Sequence, residues 1–232
     1  MSFLKEKLPA LRPSEKYIGI AYLVFQFALL PLLLQMTATA LSWEVDGTAI
    51  NALYFSINFL ATLVIFRQLL KRSVLQMVHD PEALLFASAV GFGVYRVSSI
   101  GIGLLITLLF PDFANLNDGA VIDILGQYPL LMFVCTVVLA PVAEELLFRG
   151  LIFGWLQEKN VLLGYILSTL LFASIHVVQY IGLYSAEHIF VALVMYMPAG
   201  LCFAWAYQRS GSIISPILIH AINNFLAFLI LR

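Results

Sequence analysis

Long apolar runs broken by short polar stretches set the pattern of this chain. The runs cover roughly residues 17–40, 48–66, 83–110, 128–156, 161–183, 189–207 and 213–231. A membrane-crossing helix needs about 20 apolar residues, so the pattern predicts seven spans. The runs at 83–110 and 128–156 exceed one vertical crossing and must tilt, kink or break. Pro141 lies in the second of them and allows an eighth, short element. Ala38-Thr39-Ala40 resembles a signal-peptide cleavage site, but the run before it is longer than the ~7–15 residues of such a signal. It reads as a retained helix. The expected fold is an all-α, polytopic transmembrane helical bundle. Residues 1–127 would form N-terminal membrane helices and 128–231 a second membrane unit.

Composition strengthens this picture. Hydrophobic residues make up 62% of the 232, charged residues 11%, and mean hydropathy is +0.98. Soluble domains carry about 25% charged residues, so the chain reads as an integral membrane protein with the lipid bilayer as its solvent. A net charge of −1 offers no clustered basic face and argues against a nucleic-acid partner. Cys135 and Cys202 fall within apolar runs and read as small packed hydrophobes.

Charge then orients the bundle. Lys5, Lys7, Arg12, Lys16, Arg67, Lys71, Arg72, Lys159 and Arg209 fall on one side of a seven-span chain. Glu44, Asp46, Asp112, Asp118, Asp123 and Glu187 fall on the other, where the only cation is Arg232. The positive-inside rule places the N-terminus in the cytoplasm and the C-terminus outside. Trp43, Trp155 and Trp205 lie near predicted span ends, as an aromatic belt would.

Some polar residues remain inside the runs: Arg96, Glu144, Glu145, Arg149, His176, His220, Asn223 and Asn224. A charge at mid-membrane costs about 2.5–3.5 kcal/mol on insertion scales and by default faces a protein interior or aqueous cavity. Glu145 and Arg149 stand at i and i+4, share a helix face and can pair. Glu144 points about 100° away, which leaves one carboxylate free beside a structural pair. Phe172 and His176, and His220 and Asn224, have the same i, i+4 spacing. A rise of 1.5 Å per residue brings these groups on three helices to overlapping depths. Pro141 and Pro216 precede Glu144 and His220 within about a turn, and broken helices at membrane depth are tolerated where they line a cavity. A pocket opening to the cytoplasm is expected. Gly91, Gly93, Ser98, Ser99, Gly101 and Gly103 around Arg96 suggest close helix packing. Arg96 itself would reach phosphate headgroups or pair with a carboxylate. His188 reads as a solvated boundary residue.

A carboxylate, two imidazoles and an amide can hydrolyse a peptide bond. Glu144 or Glu145 would deprotonate water with His176, and His220 and Asn224 would stabilise the oxyanion. Two histidines and a glutamate are equally the ligand set of an open catalytic zinc site. Its metal ligands would be Glu144, His176 and His220. The metal-free form, requiring no cofactor, is the expectation.

These residues resemble the CAAX protease and bacteriocin-processing family of intramembrane glutamic-type endopeptidases, with its motifs EExxxR, FxxxH and HxxxN. They stand here in order as Glu144-Glu145-Leu146-Leu147-Phe148-Arg149, Phe172-Ala173-Ser174-Ile175-His176 and His220-Ala221-Ile222-Asn223-Asn224. The resemblance covers about 128–231. It implies an endopeptidase in which Glu144 acts on water with His176. His220 and Asn224 would resemble the oxyanion donors, and Glu145 and Arg149 supporting positions. It also implies a membrane-anchored protein or peptide substrate. Two other readings compete: a non-catalytic immunity or scaffold protein, and a proton-coupled transporter with a Glu/His relay.

Overall fold

The computed structural model describes residues 8, 10–40, 47–114 and 128–231. Lys5, Lys7, Trp43, Glu44, Asp46, Asp118, Asp123 and Arg232 lie outside the described residues.

Among the described residues nine helices follow one another. They are α1 Pro13–Ala28, α2 Leu30–Ala40, α3 Gly47–Ile65, α4 Arg67–His79, α5 Pro81–Leu109, α6 Pro129–Leu156, α7 Val161–Ile175, α8 Ala186–Ser210 and α9 Ile214–Leu231. Their starts carry local signals. Asp80, Asn160 and Ser185 accept the backbone N–H of Ala83, Leu163 and His188, capping α5, α7 and α8, as short polar side chains do at helix N-termini. Gly211 ends α8 at φ +70°, the left-handed conformation that glycine adopts without a Cβ penalty.

The polytopic bundle is as expected, but the elements differ in three respects. First, α3, α5, α6 and α8 are the described helices long and apolar enough to cross alone. The first run bends by 49° between α1 and α2, and the pair counts together as one broken span. α7 and α9 are shorter apolar helices. Seven apolar elements are therefore present, and not all are full-length spans. The run at 161–183 stops being helical at Ile175, because a 3₁₀ turn at Val178–Tyr180 and Gly182 at φ +87° take over. Second, the extra element is not a break at Pro141. α6 stays helical through it by widening into π-helix on either side, at Val134–Leu139 and Leu146–Phe153. Such turns are typical of functional sites. Third, the polar stretch between the second and third apolar runs is the helix α4. It buries Leu69 and Ser73, turns Val74, Leu75 and Val78 outward, and carries Arg67, Lys71 and Arg72.

α6 is the centre of the bundle. Every residue of Leu146–Phe153 is buried, and α1, α3, α7, α8 and α9 pack around this helix. A helix with apolar residues on every face, its charges paired or turned to a site, belongs in such a position. The outer helices instead expose large apolar side chains such as Leu104, Leu108 and Val97, the surface a bilayer covers. Gly200 brings α8 onto α7: a Cβ there would sit 2.4 Å from the Thr169 side chain. Of the small residues around Arg96, Gly91 is closely packed, against Ile219 and Ala206. Gly93, Gly101 and Gly103 have nothing within 4 Å of a Cβ.

Buried polar contacts tie alternate connections together at one end. Glu15 accepts from the backbone N–H of Leu69 at 2.7 Å, from Arg72 at 3.1 Å and from the Arg12 N–H at 3.2 Å. The Ser212 hydroxyl donates to the Ser73 carbonyl at 2.9 Å. Lys16 pairs with Glu158 at 3.2 Å and stands over Trp155. The start of α1, the Leu69–Ser73 turn of α4, the α6–α7 turn and the α8–α9 turn therefore share an end. His188, at the other end, is not simply solvated. It donates to the Ala114 carbonyl at 3.1 Å and stacks near Phe113.

Candidate active site

Three helices of the C-terminal part converge on α6. Glu145 is fully buried, and its Oε1 accepts from two donors. One is Arg149 Nη1 at 2.8 Å, and the other is His220 Nδ1 from α9 at 2.9 Å. Arg149 is fully buried as well. Its Nη2 donates to the Ala199 and Gly200 carbonyls of α8 at 3.2 and 3.4 Å. The guanidinium lies 4.1 Å from the ring centre of Phe172 and 5.1 Å from that of Phe203. Arg149 thus ties α6 to α7 and α8, and Glu145 ties α6 to α9. A planar fork with five donors suits this junction better than a lysine would.

Glu144 points elsewhere, as its position one residue along a helix requires. Its Oε2 lies 4.0 Å from His176 Nε2 and 4.0 Å from His220 Nε2. That oxygen is buried and has no hydrogen-bond partner. The histidines are held from behind. His176 Nδ1 is 2.9 Å from the Phe172 carbonyl, which can only accept, so the N–H is on Nδ1 and the neutral ring keeps its lone pair on Nε2. Tyr196 of α8 stacks on the same ring at 4.3 Å and 24°. His220 sits between Phe172 and Phe203, with ring centres 5.8 and 5.3 Å away.

Asn224 takes a different place. Its amide donates to the Thr136 carbonyl in the first π stretch at 2.9 Å and accepts from Asn223 at 3.3 Å. Asn223 in turn accepts from Arg96 Nη1 at 3.2 Å. The structure therefore groups Glu144, Glu145, Arg149, His176 and His220 directly. Asn224 stands one turn along α9 from them, at the head of a chain leading to Arg96. Tyr196 and the ring walls Phe172 and Phe203 are additions to the expected set. Tyr196 could have been flagged as a polar aromatic inside an apolar run. On α3, Tyr54 lies within electrostatic range of Glu144. A cavity of about 290 Å³ lined by Asp112, Phe113, Glu187 and His188 contains none of these groups.

The donor set Glu144, His176 and His220 has the right chemistry for zinc, and two of its separations are wider than a bound zinc ion sets them. Bonds of about 2.0–2.1 Å in a tetrahedron place ligand atoms about 3.4 Å apart, against 4.0 Å here. Among the described residues no group of three histidine, cysteine or acidic side chains is arranged to hold a metal ion.

Residues 126–226 match the model of a family described as type II CAAX prenyl endopeptidase, Rce1-like. That segment is similar to the Rce1-like family. All seven defining residues of the three motifs lie within it. The chain is also similar to a Bacillus subtilis (strain 168) protein named "Putative membrane peptidase YdiL". The two are 27% identical over 227 residues, covering 92% of this chain and 87% of the relative. A second similar protein is "UPF0177 protein YxdF" of Lactococcus lactis subsp. lactis (strain IL1403), 30% identical over 109 residues. That match covers 47% of this chain and 55% of the relative. No solved structure matches the chain.

Proposed function

We propose that this chain is an intramembrane endopeptidase that uses Glu144 to activate water against a peptide bond of a membrane-anchored protein or peptide. The observation that carries the reading is the buried, unpartnered Oε2 of Glu144, equidistant from two imidazole Nε2 atoms. Water bound there gives its proton to Glu144 while His176 Nε2 accepts its second hydrogen bond. The hydroxide adds to the scissile carbonyl carbon, and the C=O electron pair moves to oxygen. Glu145 accepts from His220 Nδ1 and holds that ring with Nε2 turned toward Glu144. Carrying a proton on each nitrogen, the His220 imidazolium donates from Nε2 to the oxyanion and keeps that proton throughout; one such donor is worth about 2.7–4 kcal/mol of barrier. The free N–H of Asn224 supplies a second donor. Collapse breaks the C–N bond, and the proton held by Glu144 goes to the leaving amine. Water is consumed and no charge is left over.

The 4.0 Å spacing supports the metal-free form over the zinc form. The collection of Arg12, Lys16, Arg72 and Lys159 at one end supports an N-terminus in the cytoplasm, a C-terminus outside and a site open to the cytoplasm. Similarity to a family named for CAAX prenyl endopeptidases supports a substrate with a farnesylated cysteine near its C-terminus.

Purified wild type and Glu144→Gln are compared on an internally quenched farnesyl-cysteine peptide, with and without a chelator. Cleavage by wild type alone, unaffected by the chelator, is expected. A Glu144→Gln protein that cleaves as fast as wild type refutes the mechanism, and loss of activity in chelator refutes its metal-free form.

A further inference from the structure

A line of polar groups joins α5 to the candidate site, and Arg96 stands at its far end. Arg96 is the sixteenth of the 29 residues of α5, so about 20 Å of helix lies on either side. No arginine side chain spans that distance to a headgroup. Ser88 meets Ser215 at 2.9 Å and Gly91 packs on Ile219, so α5 runs closely along α9. At the next level Arg96 Nη1 donates to Asn223 Oδ1 at 3.2 Å. Asn223 Nδ2 donates to Asn224 Oδ1 at 3.3 Å, and Asn224 Nδ2 donates to the Thr136 carbonyl at 2.9 Å. Arg96 also hydrogen-bonds the Tyr95 side chain, whose ring meets Phe203 edge-on at 5.4 Å. A charge at this depth is costly and is expected to do something that a neutral side chain does not.

Every bond in the line points the same way. A guanidinium can only donate and a backbone carbonyl can only accept, whereas a primary amide does either by turning over. The two ends therefore fix the two amides between them. Asn223 must face Arg96 with its oxygen, so its NH2 faces Asn224. Asn224 then meets Asn223 with its own oxygen, and its NH2 lies on the side of α6. Thr136 takes one of those two N–H groups and the other is left for the site. Were Asn223 turned over, two amide oxygens would face each other, and Asn224 would be driven to present oxygen where a donor is needed. An oxyanion group acts by being oriented before charge develops. We propose that Arg96 and Asn223 are positioning residues that hold the Asn224 amide with its N–H toward the oxyanion. The inference rests on the endopeptidase reading and adds two residues to it, one of them on a helix outside the matched segment 126–226. Neither touches the substrate, and both act through Asn224.

The test measures kcat, KM and apparent melting temperature for wild type, Arg96→Met, Arg96→Lys, Asn223→Asp and Asn224→Ala on the internally quenched farnesyl-cysteine peptide. Asn224→Ala sets the scale, a loss on the order of 10²-fold in kcat for a missing oxyanion donor. Asn223→Asp keeps the bond from Arg96 as an ion pair but offers Asn224 acceptors only. Its kcat should fall to about the Asn224→Ala level, with KM and melting temperature near those of wild type. Arg96→Met should lower kcat about 10-fold, and Arg96→Lys, still a donor without an acceptor, should recover most of that. A wild-type kcat in Asn223→Asp or in Asn224→Ala would overturn the proposal and leave the peptidase intact. So would a loss in Arg96→Lys equal to that in Arg96→Met, because Arg96 would then serve packing alone. Should Arg96→Met fail to fold, Asn223→Asp decides; should Asn223→Asp fail to fold, the contrast between Arg96→Lys and Arg96→Met decides. No cleavage by wild type would remove the endopeptidase reading itself and the positioning role with it.

Discussion

Replacing Arg149 by Met removes the charge at the junction of four helices and keeps most of the side-chain volume. The Glu145 carboxylate, fully buried, then loses its 2.8 Å partner and retains only His220. The Ala199 and Gly200 carbonyls lose a shared donor, and Phe172 and Phe203 lose the cation between them. Removing one member of a buried ion pair costs about 3–5 kcal/mol, because the other charge is left uncompensated. Folded chains of this size shift by about 2–4 °C per kcal/mol. The apparent melting temperature of the detergent-solubilised protein should therefore fall by about 6–20 °C. Heating followed by size-exclusion detection of the soluble fraction measures it. The cause is checked by a double-mutant cycle. Glu145→Gln combined with Arg149→Met should lose at least about 1.5 kcal/mol less than the two single losses added together. A shift below about 2 °C for Arg149→Met, or strict additivity in the cycle, would refute the claim that this pair holds the site together.

Other substitutions probe the same architecture. Gly200→Ala forces a Cβ to within 2.9 Å of the Thr169 backbone and should cost about 1–3 kcal/mol. Gly93→Ala, with nothing within 4 Å, should be neutral or stabilising by up to about 1 kcal/mol; the two melting temperatures make the comparison. Glu15→Ala leaves the Leu69 N–H and Arg72 without their buried acceptor. It should cost about 1–3 kcal/mol while the folded fraction keeps its kcat. Tyr196→Leu removes the ring stacked on His176 and should lower kcat roughly 2–12-fold, whereas Tyr196→Phe should restore it.

What the chain's pattern made legible was local. The seven apolar segments follow from hydropathy alone, and the pairing of Glu145 with Arg149 follows from four-residue spacing on one helix. The divergence of Glu144 from Glu145 follows from the 100° step between neighbours. What stayed hidden depends on other helices. His220 read as an oxyanion donor, but nothing in its own run shows that Glu145 would hold its Nδ1. Arg96 read as a headgroup or carboxylate partner, and only the closeness of α5 and α9 reveals Asn223. α4 was not legible as a helix because its 13 residues are too short and too charged to resemble a span. Its helix is stabilised by burying Leu69 and Ser73 against the bundle. The π turns of α6 have no local signature that competes with an ordinary helical period.

Those π turns bear on which genetic changes the chain can absorb. A wide turn holds roughly one residue more than an α-helical turn, the geometry of a single inserted residue. Deleting one residue within Val134–Leu139 would close that turn to an ordinary one and leave the face bearing Glu144 where it is. The same deletion in the regular helix α5 would rotate everything after it by about 100°, carrying Arg96 or its neighbours off the α9 contact. Length variation among descendants of this sequence should therefore gather just ahead of the two glutamates, the place where a reading by motif alone would least expect it.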